Sequence, residues 1–249
     1  MGGGGGRARG RMTPWVYALL AAAGNLLGGA VAARGSARGR GATDALLAFG
    51  AGYMLAVVLL ALLPAVPQAA PAASLLVLGG YLLVHLSQHA LPPHFHFGEE
   101  RHPEAMTSRW VGTAALLGLL VHTLFDGVAI GSSTVRDPVL GFFVFLAVLL
   151  HKVPEGVTIG SVLVASGHSP RVAVLGAALL GAATVAGAAG LALWRTAAGP
   201  ALALSAGVTL YVAASNLMPE VQRHRRGTVA CLGGVAFYVV LWWALERAG

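Results

Sequence analysis

Residues 139–165 read VLGFFVFLAVLLHKVPEGVTIGSVLVA, and residues 111–130 read VGTAALLGLLVHTLFDGVAI. Each run is long enough to cross a bilayer as a helix, which takes about 20 mostly apolar residues. Each also carries ionisable groups at its middle, where a charged side chain costs about 2.5 to 3.5 kcal/mol on insertion scales. Groups retained at that cost face a cavity or each other, so the two runs fix both a membrane fold and the place to look for chemistry.

Working outward, further apolar segments lie at Trp15 to Ala33, Ala45 to Val66, Ala72 to Leu91, Val172 to Trp194, Ala201 to Met218 and Thr228 to Leu245. With the two quoted runs they predict an all-α polytopic membrane protein of eight transmembrane helices. Breaks at Arg34 to Gly41, Pro64 to Pro71, Arg136 to Pro138, Ser166 to Pro170, Gly199-Pro200 and Arg223 to Gly227 carry Gly, Pro or charge. Continuous runs exclude a β-barrel, whose strands alternate. Composition agrees, with 57% hydrophobic and only 10% charged residues in 249. Thirty-five glycines suit close helix packing in lipid. The net charge of +7 does not signal nucleic acid, because every Arg lies in a break, a tail or a segment end. A single cysteine, Cys231, excludes an internal disulfide.

Residues 1–11 form a Gly/Arg-rich tail expected to be disordered, and 12–249 one transmembrane domain with a His-containing loop at 92–110. Basic residues before the first segment and Ala30-Val31-Ala32 at its end resemble a cleavable leader, but the segment is long enough to span. An even helix count puts both termini on one side. With termini outside, the inner loops hold nine Arg (34, 38, 40, 101, 109, 171, 223, 225, 226) and the outer side six (7, 9, 11, 136, 195, 247). The positive-inside bias therefore favours extracytoplasmic termini. A start at Met12 would sharpen it to nine against three. The setting is a cell membrane, and the Ala, Gly and Arg bias suits a bacterial inner membrane.

In the fourth helix His122 and Asp126 are spaced i, i+4, and in the fifth so are His151 and Glu155, with Lys152 beside them. That spacing puts each pair on one helix face. The short break at Pro138 makes an antiparallel hairpin, in which residues whose numbers share a total lie at one depth. His122 with Glu155 and Asp126 with His151 share it, some 18 to 24 Å from the turn at helical rise. Two imidazoles and two carboxylates there form an N/O set suited to Zn²⁺, and also to Fe²⁺, Mn²⁺ or Cd²⁺. Pro154 frees the carbonyl of Leu150 to line a polar path, and Gly127 and Gly156 remove bulk beside the carboxylates. The alternative is an Asp126, Lys152, Glu155 salt-bridge network that only locks two helices.

HTLFDGVAIG followed by HKVPEG resembles the paired signatures of the Zrt/Irt-like (ZIP) divalent metal transporters, H-N-x-x-[DE]-G in the fourth helix and [HQ]-[END]-x-P-E-G in the fifth. YVAASNLMPE, Tyr211 to Glu220, resembles the family's seventh-helix motif. The resemblance covers essentially the whole chain. It implies a primary transport site of His122, Asp126 and Glu155, with His151 a ligand or near-ligand, and transport into the cytoplasm by alternating access of a mobile bundle against a static remainder. Where family members bind a second metal, this chain has Thr123 and Lys152. A protonated Lys cannot ligate, so Lys152 stands where the second cation would lie. Glu220 is a candidate inner gate, and His85, His89, His94, His96 and His102 a candidate cytoplasmic metal relay. Asn25, Asp44 and Asn216 could line the path, and interhelical hydrogen bonding explains Asn25 and Asn216 equally well.

The expected function is transport of a divalent cation, zinc first, with no cofactor beyond the transported metal. Partners are divalent metal ions and the bilayer, with no nucleic acid, and a homodimer is compatible with the sequence. Two other classes use the same residues. An intramembrane zinc-dependent hydrolase would activate water on the metal, but HExxH is absent. A proton-coupled organic-solute carrier would use Asp126, Glu155 and Lys152 as relays, but needs no paired histidines.

Overall fold

The computed structural model describes residues 14–35, 40–90, 108–222 and 225–248, and no strand occurs among them. Its helices are α1 (Pro14–Ala33), α2 (Arg40–Val57, continued through Val58–Leu62 and Leu63–Ala65), α3 (Ala73–Ala90), α4 (Arg109–Arg136), α5 (Pro138–Ala165), α6 (Pro170–Leu193), α7 (Ala198–Tyr211, continued through Val212–Leu217 and Met218–Gln222) and α8 (Arg225–Ala248). Seven are long and apolar enough to cross a membrane. Of α3, the stretch Ala73–Gln88 is apolar and shorter. The expected tail and most of the His-containing loop lie outside the described residues.

Several boundaries differ from the sequence reading. α4 runs past Ile130 to Arg136, because its polar last turns satisfy themselves: Ser132 Oγ donates to the Ala129 carbonyl and Thr134 Oγ1 to that of Ile130. α5 then starts at once, with Asp137 the single residue between. Its carboxylate accepts from the backbone N–H groups of Val139 and Leu140, and Pro138 takes the first helical position, where no N–H is needed.

α2 and α7 do not stop at their prolines. Both pass into a π-helical stretch, Val58–Leu62 and Val212–Leu217, that ends two residues before Pro64 and Pro219. A helical proline clashes with the carbonyl four residues back. Here those carbonyls belong to Leu60 and Ser215, inside the widened turns, which relieves the clash. At its other end α5 closes on Gly167, whose φ of +87° favours glycine. Arg109 Nε donates to the Gly167 carbonyl, and His168 Nε2 donates to that of Arg109, so the hairpin is tied at its open end too.

α1, α4, α5 and α6 pack on one another, while α2 pairs with α8 and α3 with α7; these pairs meet the first group through α2 on α5 and α7 on α4. The approach of α1 to α5 is set at Gly156, where a Cβ would collide with the backbone carbonyl of Asn25, and that of α4 to α6 at Gly127, where it would collide with that of Thr184. Both glycines follow site carboxylates, but the space they leave is filled by a neighbouring helix. They do not open room beside the carboxylates. Apolar side chains such as Leu27, Leu75, Leu86, Leu175 and Leu232 face outward over this bundle.

Candidate metal centre

The α4–α5 hairpin brings the two i, i+4 pairs together at one depth, and all their side chains are buried. His122 Nε2 lies 3.2 Å from Glu155 Oε2, and His151 Nε2 lies 3.3 Å from Asp126 Oδ2 and 3.6 Å from Glu155 Oε2. His122, Asp126 and Glu155 each offer a ligand atom within 4.8 Å of the others'. The same sites are thus close enough to share one cation.

Lys152 is fully buried and its ammonium bridges the carboxylates, 2.7 Å from Asp126 Oδ2 and 2.7 Å from Glu155 Oε2. Its third donor reaches Thr123 Oγ1 at 3.4 Å, and that hydroxyl donates to Glu155 Oε1 at 3.0 Å. The salt-bridge network weighed from the sequence is therefore present, and Lys152 serves both carboxylates at once.

The network leaves the imidazoles unexplained. His151 Nδ1 donates to the Ala147 carbonyl at 2.9 Å, so in the neutral ring the lone pair is on Nε2, facing carboxylate oxygen. Such a pair repels unless a proton or a cation lies between. A ring held by Nδ1–H to a backbone carbonyl, with Nε2 free, is the habitual posture of a metal ligand. Asp126 Oδ1 and His122 Nδ1 are buried with no hydrogen-bond partner among the described residues. Buried polar atoms are rarely left so. The donor set and its unsatisfied atoms fit a divalent cation.

α1 adds a group from outside the hairpin. Asn25, fully buried, donates from Nδ2 to Glu155 Oε1 at 3.3 Å. Spacing could not assign this partner, because helices far apart in sequence reveal their facing residues only when packed. Pro154 leaves α5 helical, and the Leu150 carbonyl it frees meets α2 at Gly50, where a Cβ would lie 3.4 Å from that oxygen. This carbonyl sits at a helix contact and does not line a polar path.

The remaining candidates lie elsewhere or outside the described residues. Glu220 lines a cavity of about 360 Å³ with Asp44 and Arg226, between the start of α2 and the α7–α8 junction. His85 packs edge-on against the Tyr211 ring, centroids 5.8 Å apart, joining α3 to α7. The His89 side chain and His94, His96 and His102 are outside the described residues. Asn216 is buried in the π-helical part of α7.

A family model described as ZIP Zinc transporter matches residues 84–241, more than half of the chain. The match takes in α4 to α7 and leaves α1 and α2 outside. No curated protein matches the chain.

Proposed function

Because the chain belongs to the ZIP zinc transporter family, we propose that the divalent metal ion it transports is zinc first, bound by His122, Asp126, His151 and Glu155 and carried into the cytoplasm. The observation that carries the reading is the posture of His151. Its Nδ1 is spent on the Ala147 carbonyl and its Nε2 is turned to Asp126 and Glu155 inside a buried cluster. A helix lock needs only the Lys152 bridge, whereas a cation between these atoms accounts for the histidines as well.

Imidazole and carboxylate replace the ion's hydration shell, and they bind only when deprotonated, so protons compete with the ion. Four ligands without a thiolate hold a borderline ion while still letting it leave. Lys152 occupies the position of a second cation and neutralises one of the two negative charges, so each cluster takes one ion. The arginine bias, nine against six, supports extracytoplasmic chain termini.

The test is uptake of Zn²⁺ into liposomes holding the purified protein. Flux is expected to fall by at least tenfold in Glu155→Ala and in His122→Ala, on the scale of losing a ligand group, and to decline as the outside pH is lowered. Flux untouched by both substitutions would end this reading.

A further inference from the structure

We propose that Asn25 sets the ion selectivity of the centre by making Glu155 a one-oxygen ligand. This rests on the reading above, that Glu155 binds the transported ion.

The two oxygens of Glu155 have separate company. Oε2 faces the charged and ligating groups, with Lys152 Nζ at 2.7 Å and His122 Nε2 at 3.2 Å. Among the described residues Oε1 faces only neutral donors, Asn25 Nδ2 at 3.3 Å from α1 and Thr123 Oγ1 at 3.0 Å from α4. Two donors on one carboxylate oxygen use the lone pairs it would offer a metal. They also fix the rotation of the carboxylate, and because Lys152 is the one obligatory donor on Oε2, its imidazole neighbours being ligands themselves, the ion meets Oε2 and not Oε1.

Asn25 is well placed to hold that orientation. Its backbone carbonyl sits against Gly156, the residue after Glu155, where no side chain would fit. Main chain and side chain of one residue thus grip α5 at adjacent positions. Asn25 Oδ1 is buried and without a hydrogen-bond partner among the described residues.

Coordination number gives this geometry its consequence. Zn²⁺ is content with four short bonds of about 2.0 to 2.2 Å to nitrogen and oxygen. Larger divalent cations take more oxygens, often through both oxygens of a carboxylate. A Glu155 restricted to one oxygen penalises the larger ion. Freeing Oε1 allows bidentate binding and removes that penalty, so Asn25 acts as a positioning residue whose effect differs between metals. A residue that merely packs α1 on α5 would affect all ions alike.

The experiment compares Zn²⁺ and Cd²⁺ uptake, each as kcat/KM, in liposomes carrying wild type, Asn25→Leu, Thr123→Val or Glu155→Ala. Asn25→Leu keeps the number of side-chain heavy atoms and removes the donor; Thr123→Val removes the other donor to the same oxygen and serves if the first variant does not fold. Each is expected to shift the preference toward Cd²⁺ by about tenfold, as loss of a partner behind a ligand does. X-ray absorption of the Cd²⁺-loaded protein is expected to gain one oxygen neighbour in either variant. Equal loss for both metals, or an unchanged preference, overturns the role of Asn25 while a Glu155-dependent zinc flux leaves the parent reading standing. Zinc flux that survives Glu155→Ala overturns both.

Discussion

Lys152 places all three of its N–H donors on oxygen, on Asp126, Glu155 and Thr123, without any exposure to solvent. Removing one partner of such a buried set leaves uncompensated charge, at a cost of about 3 to 5 kcal/mol. Lys152→Met is therefore expected to unfold in detergent at a clearly lower temperature than wild type. Zinc should restore more stability to the variant than to wild type, because an ion then supplies the missing positive charge. Equal zinc shifts in thermal unfolding of the two proteins would show that Lys152 does not stand in a cation's place. The convergence of the four side chains was legible because i, i+4 spacing and the shared depth of the hairpin are both arithmetic on residue numbers. Which carboxylate Lys152 serves was not, since its flexible stem reaches either, and in the structure it reaches both.

At the scale of the helix, two kinds of proline behave differently. Pro64 and Pro219 follow π-helical turns that take their clash, whereas α5 accommodates Pro154 while staying α-helical. Nothing in the apolar pattern separates these cases, because the register of a backbone turn depends on what packs beside it. Glycines were misread for a similar reason. The sequence shows that Gly156 lacks a side chain but not that the main chain of α1 fills the gap. Gly156→Ala is expected to push α1 from α5 and cost about 1 to 3 kcal/mol through overpacking. Thermal unfolding should report that cost, while Gly167→Ala, with nothing near its Cβ, is strained only through its positive φ. Unchanged stability in Gly156→Ala would mean that α1 does not approach α5 as closely as described.

Over the whole molecule, every group of the centre comes from α1, α4 and α5, and these three pack with α6. α2 touches these helices where Gly50 meets Leu150. If they must move against α2 during transport, joining them to it should stop transport. In a Cys231→Ser background, a disulfide between Gly50→Cys and Leu150→Cys, whose Cβ atoms would lie 3.3 Å apart, near the usual spacing, is expected to block zinc uptake until reduced. A disulfide between Ala22→Cys and Gly181→Cys, within the four helices, should not. Uptake that persists with the first pair oxidised would contradict relative motion at this contact. Helix number and order were readable from hydropathy, but which helices pack on which was not, because lipid-facing and protein-facing leucines are alike in sequence. The single-residue turn at Asp137 also has a consequence for biogenesis. It places the two arms of the centre side by side as soon as the second arm enters the membrane, with α1 made beforehand. Local contacts of this kind form fast, and every group of the centre is synthesised before α6, α7 and α8, so pairing of the two arms does not wait for those three helices.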